Sequence, residues 1–265
     1  VFFTTGLGMI GIPPDSVKSE EDLSELYFNA IKFVLGSTGT LIVPTYSYTF
    51  GKSTATELEI FDPKTTPAEI GPFPNYILKQ ENVKRSIDPM VSVAGLGPNC
   101  DVLFQKISNS SYGDGSFFSK IVKSEAKFCN IGLGPNWTPF IHYAEWLYRV
   151  PFRYDKIFYG KIRYNGKINK TSWIYSVRIL SKVSLPSAYK AGDLSLAEGI
   201  WKHSHIGRAK IYSTRASEYF KFVCSYLEKD KWFLAKGPPC DVINIEKSRI
   251  ESKYKYIHFP SFNCI

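Results

Sequence analysis

The first 44 residues alternate a strand, a helix and a second strand, and this order constrains the fold more than any other feature of the chain. Apolar residues recur at helical spacing over 23–34, after Ser19, a helix N-cap residue with an acidic residue three positions later, and Gly36 ends the pattern. An apolar run at 1–3 precedes this helix, and 40–43 follow it as a buried strand. Two strands joined through a helix usually pair in parallel, so this segment predicts an α/β fold.

Later segments continue the α/β pattern. Short helices and strands alternate, and a last amphipathic helix follows Thr214. The predicted helices are FPNYILKQ and TPFIHYAEWLYRV, and the predicted strands are VSVAGLG and KFCNIGLG. We therefore expect a central, mostly parallel sheet with helices on both faces, a three-layer αβα arrangement.

The C-terminal part carries a different signal. Asn165-Gly166 separates two strand-like runs, and this dipeptide is the strongest short-range indication of a β-hairpin. We expect the hairpin and the last helix to form an additional subdomain. The predicted organisation is an α/β core over 1–160, holding the coenzyme and catalytic sites, with 161–265 packed on it; one single domain over 1–265 is the alternative.

Composition narrows the class of protein. Thirty-three Lys and Arg against 24 Asp and Glu give a net charge of +9, which favours anionic ligands such as phosphates and coenzymes or simply reflects a Lys-rich composition. The basic residues form no dense stripe and no helix-turn-helix or zinc-finger pattern, so we expect no nucleic-acid partner.

Cysteine usage and hydropathy indicate the compartment. The five cysteines are an odd number without a C-x-x-C pair, which fits neither a disulfide framework nor a zinc ribbon. They are Cys100, Cys129, Cys224, Cys240 and Cys264. We find no apolar run long enough to span a membrane and no secretory segment, so we expect a cytoplasmic protein without a membrane span.

The turn after the first strand has the glycine spacing of a dinucleotide-binding loop but lacks the other features of that loop. Gly6, Gly8 and Gly11 have the G-x-G-x-x-G spacing, but Ile12-Pro13-Pro14 breaks the helix that should follow. The acidic residue expected about 20 positions further on is also missing. The turn still lies ahead of a helix N-terminus, where it can border a phosphate, and an ordinary tight turn is the other reading.

The sequence argues against a P-loop, an α/β-hydrolase nucleophile and a metal site. The GKST at 51–54 lacks the preceding glycine of a P-loop, because position 46 is Tyr46. No G-x-S-x-G elbow is present, which argues against an α/β-hydrolase. His203 and His205 alternate without a third metal ligand, so we expect no metal.

His142 and Glu145 form the one constellation suited to acid–base chemistry. Three residues apart on a predicted helix, they share a face, and Thr138 lies one turn earlier on that face. A carboxylate that orients an imidazole gives a general base with a pKa near neutrality. Spacing alone leaves open that they are an ordinary His–Glu pair on a helix surface.

Several segments in collinear order resemble the aminoglycoside 3-N-acetyltransferase family, acetyl-CoA-dependent enzymes distinct from the GNAT superfamily. These segments, which span about the first 160 residues, are FFTTGLGMIG, GTLIVPTYSYTF, FDPKTTPAEIG, RSIDPMVSVAGLG and TPFIHYAEW. The segments VPFRYDKIFYGK and DKWFLAKGPP are similar to a branch of the family associated with surface-polysaccharide and amino-sugar genes.

The resemblance implies roles for particular residues. His142 and Glu145 match the family's H-x-x-E, whose histidine is implicated as the base toward the acceptor amine. Asp88 stands where many antibiotic-modifying members carry His, and we include it in the catalytic set. This difference from the family pattern argues against specificity for aminoglycosides.

The remaining predicted site residues surround the two substrates. Thr4 and Thr5 occupy the place of paired serines near the coenzyme, and Thr5 is a candidate for steadying the oxyanion. The full predicted coenzyme set is Thr4, Thr5, Gly6, Gly8 and Thr138. The predicted acceptor-binding set is Tyr46, Tyr48 and Asp62, whose tyrosines can stack on a sugar face or pack in the core.

The resemblance therefore implies transfer of an acetyl group from acetyl-CoA to an amine of an amino sugar. The acceptor is an aminoglycoside or a nucleotide-linked or polysaccharide amino sugar; the net charge of +9 favours a phosphorylated acceptor over a polycation. The alternative is a catalytically inactive carbohydrate- or nucleotide-binding protein of the same fold.

Overall fold

The computed structural model describes residues 1–179 and 184–237. Cys240, Cys264 and the final two residues of DKWFLAKGPP lie outside the described residues, as does the C-terminal end of the predicted second part of the chain. The three described cysteines, Cys100, Cys129 and Cys224, are free thiols. No helix within the described ranges has the length and apolar character needed to cross a membrane.

The elements follow the predicted alternation of strands and helices. The strands are β1 (Phe2–Thr5), β2 (Leu41–Pro44), β3 (Ile60–Phe61), β4 (Lys84–Arg85), β5 (Val93–Leu96), β6 (Lys127–Ile131), β7 (Arg153–Tyr164), β8 (Lys167–Arg178), β9 (Lys202–Ile206) and β10 (Ala209–Arg215). The helices are α1 (Glu20–Leu35), α2 (Pro72–Leu78), α3 (Cys100–Phe104), α4 (Phe117–Ile121), α5 (Ile141–Leu147), α6 (Ala188–Ala197) and α7 (Ala216–Lys229).

Helix α1 has the capping that its sequence predicts. The Ser19 side chain accepts a hydrogen bond from the Asp22 amide at 3.0 Å, and the Asp22 carboxylate accepts one from the Ser19 amide at 3.0 Å. At the other end Gly36 has φ of 65°, a conformation that favours glycine. These two ends fix the crossover from β1 to β2, which pair in parallel as expected.

The main sheet of the described residues has seven strands in the order β4-β5-β2-β1-β6-β10-β9. The parallel pairings of this sheet are those of β1, with β2 on one side and β6 on the other. The prediction of a mostly parallel sheet is therefore wrong for the outer strands. The reason is that β5 and β10 run antiparallel to their inner neighbours β2 and β6. Short connections then reverse the chain between β4 and β5 and between β9 and β10, without a crossover helix.

Adjacent residues of β1 divide the core into two layers. Phe2 points into a cluster with Phe128 and Phe140, and Phe3 into a second cluster with Phe28 and Ile31. This alternation places α1 on one face of the sheet and the segment leading into α5 on the other. The predicted three-layer αβα arrangement is confirmed.

A second sheet of three strands, β3-β7-β8, contains the predicted hairpin. Asn165 and Gly166 have φ of 48° and 77°, as a tight two-residue turn between strands requires. The proposed boundary at residue 160 falls inside β7, and β9 and β10 join the main sheet. The division into two parts stays a prediction.

Candidate active site

Helix α5 is anchored at its first turn beside the end of β6. Phe140, which immediately precedes the helix, is fully buried; its ring lies 4.7 Å from that of Phe128 and 5.4 Å from that of Tyr219. Ala144 is also fully buried on the same side. This packing fixes the rotation of the helix, so the positions of His142 and Glu145 are fixed with it.

His142, Glu145 and Arg153 form a three-membered group. His142 Nδ1 lies 2.6 Å from Glu145 Oε2, and Arg153 Nε lies 2.5 Å from the same oxygen. The Glu145 and Arg153 side chains are 3% and 8% exposed, whereas the His142 side chain is 25% exposed. The group is thus buried at its carboxylate and open to solvent at its imidazole.

These distances favour one tautomer of the imidazole. Arg153 Nη2 is also 2.9 Å from His142 Nδ1, but a guanidinium can only donate and a carboxylate can only accept. An ionised Glu145 at 2.6 Å from Nδ1 requires a proton on that nitrogen. Arg153 is then a charged neighbour of the ring, and the lone pair lies on Nε2, where it can accept a proton.

The surroundings keep the carboxylate ionised and the imidazole neutral. Burial acts to raise the pKa of Glu145, but the Arg153 charge and the contacts with His142 outweigh it and lower that pKa. Burial and the Arg153 charge lower the pKa of His142, and Glu145 offsets only part of this effect. A neutral imidazole paired with a carboxylate is chemically suited to act as a general base.

The neighbouring residues Ser111 and Tyr112 connect the His142–Glu145–Arg153 group to Asp88. The Tyr112 ring lies 5.1 Å from that of His142 and 5.3 Å from that of Tyr175. The neighbouring residue, Ser111, donates a hydrogen bond from Oγ to Asp88 Oδ1 at 3.1 Å. Two consecutive residues, Ser111 and Tyr112, therefore link Asp88 to His142.

Asp88 is itself held by a tight loop. It is 4% exposed, and its Oδ1 accepts hydrogen bonds from the amides of Met90 and Val91 at 2.8 and 2.9 Å. Burial raises the pKa of Asp88 to about 6, although these amide hydrogen bonds act to lower it. A carboxyl group with this pKa titrates close to neutral pH.

The titration of Asp88 predicts a pH dependence of stability. Since the folded protein binds this proton more tightly than an unfolded chain, whose value is near 3.8, the free energy of unfolding falls as pH rises from 4 to about 6. We expect a decrease of about 3 kcal/mol at most from this group. Urea unfolding between pH 4 and 7 measures it, with Asp88→Asn removing the decrease and Asp193→Asn as the exposed control. An equal decrease in Asp88→Asn would contradict the assignment.

The predicted acceptor residues divide between two places. Tyr46 and Tyr48 meet edge to face, with ring centroids 6.1 Å apart, and Tyr46 interacts electrostatically with Asp88 and Tyr175. The Tyr46 hydroxyl is buried and has no hydrogen-bond partner among the described residues. Asp62 instead follows β3 of the second sheet, and its carboxylate is 3.2 Å from Arg163 Nε. The contacts of Asp62 therefore tie it to β7 rather than to the tyrosine pair.

Two of the predicted coenzyme residues belong to a buried polar network. Thr4 Oγ1 donates to Asn130 Oδ1 at 2.7 Å, and Asn130 Nδ2 donates to the Gly134 carbonyl at 2.8 Å. The same Nδ2 is 3.5 Å from Thr138 Oγ1, which donates to the Pro135 carbonyl at 2.6 Å. This network joins the ends of β1 and β6 to the segment that enters α5.

The other predicted coenzyme residues lie in the turn after β1. Thr5 is half-buried opposite Ile131, and the Gly6 amide donates to the Ile131 carbonyl at 2.8 Å. Gly8 is exposed, and a Cβ added there would meet no atom within 4 Å. The turn is thus anchored at Gly6 and open at Gly8, where backbone can approach a phosphate closely.

Sequence reasoning missed four side chains of this region. They are Arg153, Asn130, Tyr112 and Tyr175. Arg153 had a readable signal, because it follows the apolar residues 150–152 and lies in a segment already quoted for the family resemblance. The other three had none, because only the fold brings them beside Thr4, His142 and Asp88. Within the described residues no group of three or more His, Cys, Asp or Glu is arranged to hold a metal ion.

Comparison with known protein sequences identifies a matching family and a related enzyme. The family described as aminoglycoside 3-N-acetyltransferase matches residues 15–228. Aminoglycoside N(3)-acetyltransferase IV of Salmonella sp is 24% identical over 162 residues, which cover 60% of this chain and 58% of that relative. The aligned region therefore spans somewhat more than half the length of this curated relative.

Solved structures share the fold. Aminoglycoside acetyltransferase AAC(3)-Xa superposes with a TM-score of 0.73 at 22% identity, covering 86% of each chain. AAC-IIIb in its binary complex with CoASH superposes with a TM-score of 0.72 at 18% identity, covering 90% of this chain and 91% of that one. Because the family match extends over well more than half of the sequence, the chain belongs to the aminoglycoside 3-N-acetyltransferase family.

Proposed function

We propose that the protein transfers an acetyl group from acetyl-CoA to an amine of an amino sugar, with His142 as the general base. The observation that carries this proposal is the partly exposed, neutral imidazole whose Nδ1 lies 2.6 Å from the buried Glu145 carboxylate. Membership of the family supports the reaction class. The complex of AAC-IIIb with CoASH, a protein of the same fold, supports the choice of coenzyme.

The chemistry requires a base because an ammonium has no lone pair with which to attack a thioester. His142 Nε2 accepts the proton from the acceptor nitrogen, directly or through one water, as this nitrogen bonds to the carbonyl carbon. Glu145 stabilises the imidazolium that results. When the carbon–sulfur bond breaks, the imidazolium returns a proton to the departing thiolate, so the base is regenerated.

The coenzyme fits the end of the sheet that holds β1 and β6. Acetyl-CoA supplies the acetyl group as an activated thioester. The open backbone at Gly8 can approach its phosphates, and the Thr5 hydroxyl, half-buried at the end of β1, is a donor for the oxyanion. Thr4 and Thr138 hold the strand ends together through Asn130 and thereby shape this site.

The acceptor site combines tyrosines with few carboxylates. Tyr46 and Tyr48 offer aromatic faces for a sugar ring, and the unpaired Tyr46 hydroxyl offers a hydrogen bond. Of the nearby carboxylates, Glu145 is already paired with Arg153, and Glu69, whose amide donates to the Tyr46 carbonyl, is paired with Lys52, which leaves Asp88. A polycationic aminoglycoside would find little negative charge here, so an acceptor with one amine, such as a nucleotide-linked or phosphorylated amino sugar, is favoured.

A thiol-release assay tests the proposal. The protein is incubated with acetyl-CoA and a panel of amino sugars, their nucleotide-linked forms and aminoglycosides, and free thiol is followed over time. We expect saturable release with at least one amine and a matching mass increase in that acceptor. Calorimetric binding of a sugar without release from any amine would reject the proposal in favour of an inactive binding protein of the same fold.

A further inference from the structure

Arg153 makes contacts that connect three elements. Its Nη1 donates to the Ser176 carbonyl of β8 at 2.9 Å, its Nε is 2.5 Å from Glu145 Oε2 on α5, and its Nη2 is 2.9 Å from His142 Nδ1. The side chain is 8% exposed. A planar guanidinium held by its Nη1 on β8 and by its Nε on α5 cannot rotate without breaking the contact to Glu145.

We propose that Arg153 is a positioning residue, which holds the Glu145 carboxylate and keeps the His142 imidazole oriented and unprotonated for the reaction. This inference rests on the function proposed above and adds a residue to it. Because its side chain is buried, Arg153 acts through Glu145 and through its own charge beside the ring.

The charge of Arg153 explains its role beside Glu145 and His142. A lone buried carboxylate would attract a proton onto the neighbouring imidazole, and a protonated imidazole is no longer a base. Arg153 balances the Glu145 charge, so the carboxylate can orient the ring without protonating it. The other titratable groups facing this assembly are Tyr112, against the ring, and Tyr175 and Asp88 beyond it.

Charge-conserving and charge-removing variants separate the two effects of Arg153. In Arg153→Gln the acid limb of the kcat/KM profile moves to higher pH, so that the ratio of activity near pH 6 to activity near pH 8 falls about tenfold. In Arg153→Lys the charge remains but the planar fork is lost, so kcat falls while the acid limb stays in place. Arg215→Gln, an exposed arginine on β10, serves as the matched control.

A merely structural role predicts a different outcome. Both Arg153 variants would then lose the same fraction of activity at every pH, which overturns the proposal. Proton NMR titration of the His142 ring measures the proton affinity without requiring turnover, and the chain has only four histidines. A titration that moves to higher pH in Arg153→Gln supports the positioning role even if no acceptor is acetylated; an unchanged titration rejects it whether or not the enzyme is active.

Discussion

Replacing His142 with alanine lowers kcat for acetyl transfer by about 10²- to 10⁴-fold, the range that a positioned base contributes. The variant removes the most exposed member of the three-residue group, while Glu145 and Arg153 keep their mutual ion pair. The buried carboxylate therefore stays compensated, and we expect the fold to be retained. Thiol release under saturating acetyl-CoA measures kcat, and circular dichroism verifies folding.

A histidine outside the group provides the control for this experiment. His203 lies exposed on β9, and its ring contacts are with His205 and Tyr212. His203→Ala should retain the activity of the wild-type protein. Retention of more than half of the wild-type kcat in His142→Ala would show that another group takes the proton, and the proposed mechanism would be wrong.

Replacing Glu145 with alanine reduces the free energy of unfolding by about 3–5 kcal/mol, because Arg153 becomes a buried charge without its carboxylate. The same change frees the His142 ring, so activity falls as well. Urea unfolding at neutral pH measures the stability, and Glu228→Ala, an exposed glutamate of α7, is the matched control. A loss below about 1 kcal/mol would be typical of an exposed ion pair and would contradict the burial described here.

A double variant distinguishes charge from packing. Glu145→Leu combined with Arg153→Met removes both charges and keeps apolar volume, and replacing a buried ion pair in this way is often neutral or stabilising. We therefore expect the double variant to be more stable than Glu145→Ala, yet inactive. If it is no more stable, the cost of Glu145→Ala comes from lost packing rather than from an uncompensated guanidinium.

Local signals in the sequence were sufficient for individual elements. Ser19 and Gly36 define α1, and Asn165-Gly166 defines the β7–β8 turn, because capping and turn conformations depend on a few adjacent residues. The direction of the outer strands was predicted incorrectly. An apolar run shows that a strand is buried but not which way it runs, and the short antiparallel pairs at both edges follow from their connections.

The candidate site was predicted where its residues share a helical turn. The spacing of His142 and Glu145 was enough to bring them onto one face of α5, and their contact is confirmed. Arg153 escaped prediction because it reaches Glu145 from a different element, β7. For Asp88 the family resemblance pointed to the residue, but only the fold reveals that a tight loop binds its carboxylate.

Nitrogen-15 NMR of the His142 ring near pH 7.5 tests the central claim most directly, because it identifies which ring nitrogen carries the proton. We predict the neutral tautomer with the proton on Nδ1, facing Glu145, and the lone pair on Nε2. The opposite tautomer, with an unprotonated Nδ1 accepting from Arg153, or a fully protonated ring at this pH, would contradict the account.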